Sequence, residues 1–405
     1  MITHASIVPL MGSATLAADE VFENDSKYLL SYSDYEVNDS HLVHYYKQTN
    51  KDVPYTFVTG DTVPEYVDVV TTQCYPGALA SFSDDVYPGN HQNNEIEKVT
   101  TFVLNKIKPK VFWGEAAPSF SHTIGKRIRM KLAALATANG YSMSVFRSKA
   151  TFHGSPQVRQ RSFFIFWKEV RNVPILKFFE TVCVPVKDLI PSLKGDTQHH
   201  LVNSQDPIDN PYYHYLMDQI HPNTTHEDFI DSLLQSYDVI QYMREQGVEY
   251  REMTLWFNSN GYESESIKIK EQYISTNKKL DSSGVLLPRS VFAPKQHING
   301  FVKHLPRTMM HPVIRRHLTY RECMGFMGFP EDFEMLNPEK NLDHVCENII
   351  GDVAKDILGE IKAYLEGNRE MVRCDMVIQY NEIKKTKLIN PDTTGDVGGL
   401  SNFLT

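Results

Sequence analysis

The chain has 405 residues, of which 41% are hydrophobic and 22% charged, and its five cysteines form no Cys-x-x-Cys pair. This composition is typical of a globular protein with room for two domains, and it argues against a disulfide framework or a structural zinc site. No apolar run reaches the roughly 18–20 residues that a membrane helix needs, and the N-terminus lacks the pattern of a signal peptide. We therefore expect a cytoplasmic protein without a membrane partner or a bound metal.

The net charge of −9 conceals two blocks of opposite sign. Residues 1–99 carry 15 acidic and 4 basic side chains, whereas residues 100–175 carry 13 basic and 2 acidic ones. A basic block of this kind can neutralise phosphates and supply affinity for nucleic acid that does not depend on sequence. Charge by itself leaves open that the block is only a solvated surface.

Short apolar strands alternate with helical patterns over the first 175 residues, which indicates a mainly parallel α/β sheet. The predicted strands are 6–11, 27–32, 53–58, 66–70, 110–113, 141–147 and 162–167. The clearest helix is predicted over 125–139, where Ile128, Leu132 and Leu135 mark one face and Gly140 offers the stop. Ligands of such sheets bind beyond the carboxyl ends of the strands, so functional residues are expected there.

Small and acidic residues follow these strands in an order that suits a nucleotide-type ligand. In chain order they are Gly12 and Ser13, Glu36, Gly60 and Asp61, Cys74, and Glu115. A carboxylate after the second strand commonly binds a ribose hydroxyl, and Asp61 after the third could accept a hydrogen bond from an exocyclic amine. Cys74 stands in a loop of small residues, where it is either a nucleophile or an incidental small side chain.

The segment HGSPQVRQR, residues 153–161, leads into the strand predicted over 162–167. Gln157, Arg159 and Arg161 alternate along it, so their side chains point to one side if the segment is extended. Guanidinium groups on that side could hold a base carbonyl or a phosphate.

The order of these segments resembles that of the DNA (cytosine-5) methyltransferases. RHLTYRECMGFMGFPEDF (316–333) is similar to that family's Arg-x-Leu-Thr-x-Arg-Glu segment and the Gly-Phe-Pro-Asp turn that follows it. NIIGDVAKDILGEI (348–361) resembles its closing Gly-Asn segment, with Asp352 in place of Asn. TGDT (59–62) is similar to its Gly-Asp-Ile, and GEAAPSF (114–120) stands where the family has Glu-Asn-Val. The resemblance covers about 1–170 and 316–365.

The resemblance implies an α/β fold: a Rossmann-like S-adenosylmethionine-dependent methyltransferase sheet with an inserted, smaller target-recognition domain. It places the N-terminal part of the catalytic domain at 1–175 and the target-recognition domain at 176–315. The chain would return to the catalytic domain over 316–370, and 371–405 would be a C-terminal extension with a polar tail. We expect the C-terminal helix to pack back onto the N-terminal sheet.

The same resemblance implies a mechanism. The Cys74 thiolate would add to C6 of a cytosine flipped out of the duplex, because C5 is by itself a poor nucleophile. The Glu115 carboxyl would protonate or hydrogen-bond N3 and so offset the charge that accumulates in the ring. Arg161, with Arg159 behind it, would hold the O2 atom of the base or the neighbouring backbone.

The implied cofactor is S-adenosylmethionine, which would donate its methyl group to C5. Its expected contacts are Met11, Gly12, Ser13, Glu36 on the ribose, Asp61 on the adenine amine, and Asp352. The implied partner is double-stranded DNA, with Gln157, Arg307 and Arg316 among the contacts. As in bacterial modification systems, a partner restriction enzyme would be compatible with this activity.

Three segments depart from the family's pattern. The glycine-rich turn Phe-x-Gly-x-Gly-Gly is here LMGSATLAADE (10–20), Pro-Cys-Gln is replaced by Gln73-Cys74-Tyr75, and Glu-Asn-Val by Glu115-Ala116-Ala117. Side chains in the turn could obstruct the methionine end of the cofactor. Three hypotheses therefore stay open: an active DNA cytosine-5 methyltransferase, a catalytically silent relative that binds nucleic acid or a partner enzyme, and a relative that uses RNA or another one-carbon donor.

Overall fold

A computed structural model describes residues 1–32, 40–73, 91–190, 211–233, 237–238, 242–243, 245–264, 266–267, 290–291, 297–301, 309–389 and 403–404. Its strands are β1 (His4–Ile7), β2 (Leu29–Ser31), β3 (Tyr55–Phe57), β4 (Val69–Thr72), β5 (Val111–Ala116), β6 (Ser142–Lys149), β7 (Gln157–Val158), β8 (Gln160–Trp167), β9 (Val173–Pro174), β10 (Tyr237–Asp238), β11 (Ser290–Val291), β12 (Ile298–Asn299), β13 (Met371–Val372), β14 (Met376–Tyr380), β15 (Lys385–Ile389) and β16 (Phe403–Leu404).

The α-helices described with continuous bounds are α1 (Ser13–Phe22), α2 (His41–Gln48), α3 (His91–Phe102), α4 (Lys126–Ala138), α5 (Val186–Leu189), α6 (Pro211–Tyr215), α7 (His226–Ser232), α8 (Tyr250–Ser259), α9 (Tyr320–Phe326), α10 (Pro338–Val345) and α11 (Gly351–Leu365). Within the described ranges, no helix combines the length and the apolar character needed to cross a bilayer.

Ten strands form one sheet in the order β16-β15-β14-β6-β8-β5-β4-β1-β2-β3. The strands from β3 to β5 are parallel, and β8 lies antiparallel between β5 and β6. All seven predicted strands are present, within a few residues of the expected bounds. The first strand ends at Ile7, earlier than predicted, because Val8 and Leu10 adopt left-handed backbone angles on either side of Pro9.

Alternate residues of the central strands supply two apolar cores, one on each face of the sheet. Trp113 and Phe163 face the side that α1 and α11 cover, and Phe112 and Phe164 face the side that α3 and α4 cover. The expected packing of the C-terminal helix is present. Helix α11 lies along α1, and Lys355 Nζ of α11 is 2.6 Å from Glu20 Oε2 of α1.

The predicted C-terminal extension contributes strands to the main sheet. Strand β14 pairs parallel with β6, and β15 pairs antiparallel with β14, while the polar residues 390–402 lie outside the described residues. The buried side chains of Gln379 and Asn381 form hydrogen bonds with backbone groups of Leu176 and Phe179. The apolar stretch Met376–Ile378 is the local reason that this segment is buried.

Buried side chains of the middle segment belong to the same apolar core as the sheet. Tyr212, Phe229 and Phe257 are continuous with Trp113 and Phe326 in one cluster. Nothing in that cluster marks a boundary near 176 or 315, so the division into a catalytic and a recognition domain stays a prediction.

Candidate active site

The site lies at the carboxyl end of β5, next to the start of β8. Glu115 is the second-to-last residue of β5 and is only 3% exposed. Its partner strand β8 is antiparallel, so the beginning of β8 meets the end of β5. The alternating residues before and at the start of β8 therefore reach the Glu115 carboxylate.

Two guanidinium groups share one oxygen of that carboxylate. Arg159 Nη2 donates to Glu115 Oε1 at 3.0 Å, and Arg161 Nε donates to the same atom at 2.6 Å. Two charged donors on one buried acceptor offset the desolvation of the carboxylate. Burial, together with the neighbouring Arg159, lowers the pKa of Arg161 to about 10, against the opposing effect of Glu115. Arg161 therefore carries charge at neutral pH.

Arg159 also connects distant segments through backbone carbonyls. It donates to the carbonyl oxygens of Phe301 at 2.9 Å, Cys346 at 2.6 Å and Asn348 at 3.1 Å. Arg159 is thus the inner, structural member of the pair. Arg161 has 18% of its side chain exposed, against 2% for Arg159, and it is the one that can meet a ligand.

Gln157 lies on the same side as the two arginines, as the alternation predicted, but its amide is used inside the protein. Its Nε2 donates to the Phe326 carbonyl at 2.8 Å, and its Oε1 accepts from the Phe301 amide at 2.9 Å. The side chain is fully buried. The Gln157 amide thus joins three segments of the chain, and its role as a DNA contact stays a prediction.

The turn between β1 and α1 keeps the backbone shape of a glycine-rich turn with fewer glycines. Gly12 has φ +98°, and a Cβ there would lie 2.7 Å from the Leu42 side chain. Leu10 has φ +51°, a left-handed conformation that costs a non-glycine residue about 1 kcal/mol or more. Met11 between them is 1% exposed, and its side chain packs in the core.

Hydrogen bonds close this turn against two other segments. Ser13 Oγ donates to the Ile349 carbonyl at 2.5 Å and lies 3.3 Å from Gln73 Oε1. Gln73 Oε1 also accepts from the Ile349 amide at 2.8 Å, and its Nε2 donates to the Pro9 carbonyl.

Beyond the carboxyl ends of β2 and β3 lies a cavity of about 810 Å³, within the size range of small-molecule sites. Tyr32 and Phe102 line it edge to face, with ring centroids 6.2 Å apart, and Lys98 Nζ lies 3.9 Å from the Tyr32 ring centroid. Gly60 lines this cavity, whereas the exposed Asp61 lines a neighbouring one of about 420 Å³. The carboxyl edge of the sheet therefore carries an aromatic-lined space large enough for a small molecule.

The remaining predicted residues are spread around this edge. Asp352 is exposed in the first turn of α11, where Gly351 packs so closely on Gly328 that a Cβ would lie 2.8 Å from its carbonyl oxygen. Arg316 is engaged by both oxygens of Glu322, at 2.9 and 2.7 Å, so its guanidinium has a protein partner rather than a free face. The residues outside the described ranges are Glu36, Cys74 and Arg307.

Sequence reasoning missed several residues that hold the site. Gln73 could have been predicted to lie at the site, because it directly follows β4 and precedes Cys74. Arg321 donates to the carbonyl oxygens of Phe329, Glu331 and Phe333, and this shapes the turn after α9. His153 lies in the segment singled out above, and its partner Asp356 is too distant in sequence to be found from it.

Comparisons with known proteins give a family and a fold for this chain. The family model described as C-5 cytosine-specific DNA methylase matches residues 97–363. An E. coli prophage protein assigned as a DNA modification methyltransferase superposes with a TM-score of 0.56 at 16% identity, over 90% of this chain and all of that one. A mutant of Spodoptera frugiperda DNMT2 gives 0.51 at 9% identity, over 89% and 100% of the two chains.

A third solved structure, the Entamoeba histolytica methyltransferase EhMeth, gives a TM-score of 0.50 at 9% identity, over 90% of this chain and 99% of that one. Identities this low show the fold alone. The fold is the mixed α/β sheet of S-adenosylmethionine-dependent methyltransferases. A search of curated proteins gives no match.

Proposed function

Because the chain belongs to the C-5 cytosine-specific DNA methylase family, we propose that it methylates cytosine in double-stranded DNA at C5. The target base would leave the duplex, since neither face of C6 is accessible within a base stack. The Cys74 thiolate would attack C6, and methyl transfer to C5 would follow. Loss of the C5 proton and departure of the thiolate would complete the reaction.

The observation that carries this proposal is the carboxylate of Glu115 held by two arginines at the carboxyl end of β5. Attack at C6 places negative charge on the ring, and a carboxyl group at N3 offsets it by giving a proton or a hydrogen bond. Arg161, the more exposed arginine, would bind the O2 atom beside it. Arg159 would keep the carboxylate in place through its ties to 301, 346 and 348.

The sheet register supports a role for Cys74 beside Glu115. Thr72 of β4 pairs with Gly114 of β5 in a parallel ladder. Cys74 is two residues beyond Thr72, and Glu115 is one beyond Gly114. The segments that follow two neighbouring parallel strands start at the same edge of the sheet. Both residues are therefore expected to line one pocket.

S-adenosylmethionine supplies an electrophilic methyl group, the chemistry that this reaction requires. The described residues that would hold it are those around the cavity beyond β2 and β3, with Tyr32 and Gly60 near the adenosine. The left-handed turn at Gly12 and the Ser13 hydroxyl would border its methionine end. Contacts with Met11, Glu36, Asp61 and Asp352 stay predictions from the resemblance.

A second candidate function is favoured by one observation at the same turn. Ser13 and Gln73 are bonded to the Ile349 backbone, which ties together the segments that would border the methionine end. A catalytically silent relative that binds nucleic acid or a partner enzyme would retain such a closed turn. A relative acting on RNA or with another methyl donor is the further alternative.

Trapping on a duplex that contains 5-fluorocytosine tests the proposal. Fluorine at C5 cannot leave as a proton does, so the enzyme stays bonded to C6 after methyl transfer. We expect a covalent adduct that requires S-adenosylmethionine and is lost in Cys74→Ala, with DNA binding retained. Salt-sensitive DNA binding without an adduct would support the silent relative, and an adduct on RNA alone would replace the DNA substrate.

A further inference from the structure

A buried chain of three polar side chains runs behind the Glu115 site. His153 Nε2 lies 2.8 Å from Ser148 Oγ, and His153 Nδ1 lies 2.8 Å from Asp356 Oδ2. Ser148 and His153 are 2% and 3% exposed, whereas the Asp356 side chain is 30% exposed. The chain therefore leads from the interior to solvent.

The fold fixes each member of this chain on a different element. Ser148 is the second-to-last residue of strand β6, directly opposite Arg161 in the β6–β8 ladder. His153 lies in the connection between these strands, where its amide donates to the Ala150 carbonyl and its ring lies 4.7 Å from that of Phe179. Asp356 is on α11, the helix that covers this face of the sheet.

A small cavity, lined equally by polar and apolar residues, borders both Ser148 and Glu115. It measures about 10 Å³ and is lined by Ser148, Glu115, Arg159 and Arg161 among others. Within the described part of the chain, the buried Arg159 Nε has no hydrogen-bond partner. About this much space, with several polar groups around it, is the least that one water molecule needs.

We propose that Ser148, His153 and Asp356 carry a proton between solvent and Glu115 through a water in this cavity. The inference rests on the proposed function, in which N3 of the bound cytosine receives a proton from Glu115. Bound DNA would cover the open side of that pocket, so a path from behind is the one that stays available. Ser148, His153 and Asp356 act through Glu115 and are positioning residues.

The transfer balances atom by atom. The Asp356 carboxylate takes a proton from solvent and passes it to His153 Nδ1, and His153 Nε2 gives its own to Ser148 Oγ. The Ser148 hydroxyl proton passes to the water, and one of the water's protons passes to Glu115. The net change is one proton moved from solvent to Glu115, which N3 takes as the S–C6 bond forms. When the thiolate leaves C6, the proton returns along the same path.

The step to measure is formation of the covalent adduct on 5-fluorocytosine DNA in a single turnover, because it precedes loss of the C5 substituent. The variants are Asp356→Asn and Ser148→Ala, with Glu366→Gln as a carboxylate-to-amide control at the exposed end of the same helix. We expect adduct formation about 10- to 100-fold slower in the two variants, the lower part of the range for general acid–base effects. DNA affinity and the control should be unchanged.

The dependence of the rate on the fraction of D₂O separates proton transfer from a merely structural role. If several protons are transferred in the rate-limiting step, a plot of the wild-type rate against the D₂O fraction is curved. In Ser148→Ala this plot should become linear. A misplaced strand would slow the reaction without changing the curvature. Wild-type rates and curvature in both variants would overturn the relay while leaving the proposed function intact. No adduct from the wild type would overturn both.

Discussion

At the residue scale, the two arginines on Glu115 differ in what they hold. Arg159 binds the carboxylate and three backbone carbonyls and is almost fully buried, whereas Arg161 binds the carboxylate from a partly exposed position. Removing one partner of a buried ion pair leaves an uncompensated charge, which costs more than the pair contributed. Substitution of Arg159 should therefore mainly lower stability, and substitution of Arg161 should mainly lower activity.

We predict that Arg159→Met lowers the free energy of unfolding by about 3–5 kcal/mol, the usual loss for a broken buried pair. Arg161→Met should lower it by about 1 kcal/mol, in the range of a partly exposed pair. Urea denaturation measures both. Adduct formation should fall strongly in Arg161→Met although that variant is folded. Equal losses of stability in the two variants would contradict the division of roles.

At the element scale, the C-terminal strands hold the segment that follows β9. The side-chain amides of Gln379 and Asn381 form hydrogen bonds with backbone groups of Leu176 and Phe179, which are more than 200 residues away in sequence. These groups are buried, so the side-chain amides supply bonds that water cannot replace. Residues 371–389 are thus part of the structural core of the protein.

We predict that Asn381→Ala lowers the free energy of unfolding by about 1–3 kcal/mol, because it leaves a buried amide and a buried carbonyl unpaired. The Phe179 amide, which donates to Asn381 Oδ1 at 2.7 Å, should exchange its hydrogen faster. The matched control is Lys387→Ala on the exposed side of β15, which should change stability by less than about 0.5 kcal/mol. An unchanged Phe179 exchange rate would count against this tie.

At the scale of the whole molecule, the basic block 100–175 does not form one surface. Lys110 pairs with Asp68 at the amino end of β5, whereas Arg161 lies at the opposite edge of the sheet. Arg129 is buried and bound to the carbonyls of Phe120 and His122. Only part of the block can therefore meet a phosphate backbone at the site, and some of its charge serves the fold.

Buried histidines make the stability of the whole fold sensitive to acid. Burial lowers the pKa of His4, His311 and His317 to about 4, from 6.5. Each contributes stability that is present above pH 6.5 and is lost as the pH falls toward 4. Burial raises the pKa of Asp19 to about 6. Protonation of this carboxyl stabilises the folded state as the pH falls from about 6 to 3.8. It therefore offsets the loss of stability caused by about one of the histidines.

We predict that stability falls between pH 6.5 and 4, by up to about 1.4 kcal/mol per pH unit for each uncompensated histidine. Thermal melting across this range measures it. His317→Gln should make the pH dependence of stability less steep, because burial alone lowers the pKa of the His317 ring and glutamine does not take up a proton in this range. His44→Gln, at a partly exposed position, should leave the dependence unchanged. A flat profile in the wild type would contradict the prediction.

The sequence by itself determined the strands and helices of the sheet and the place of the site at its edge. Periods of two and 3.6 residues are local properties, so they can be read without knowing the partners of an element. The prediction of helix 125–139 differs from α4 by one residue at each end. The expectation that Glu115, Arg159 and Arg161 lie at one site also needed only their order along the chain and the resemblance to a family, and the structure brings the three together.

Only the tertiary structure decided which polar side chains are free to act. Gln157 and Arg316 have the residue types of DNA contacts, but their partners are Phe326 and Phe301 for the first and Glu322 for the second. His153 becomes one link of a chain because α11 brings Asp356 to it from 203 residues away. Burial and hydrogen bonding depend on what packs against a residue, and that is set by the folded chain as a whole.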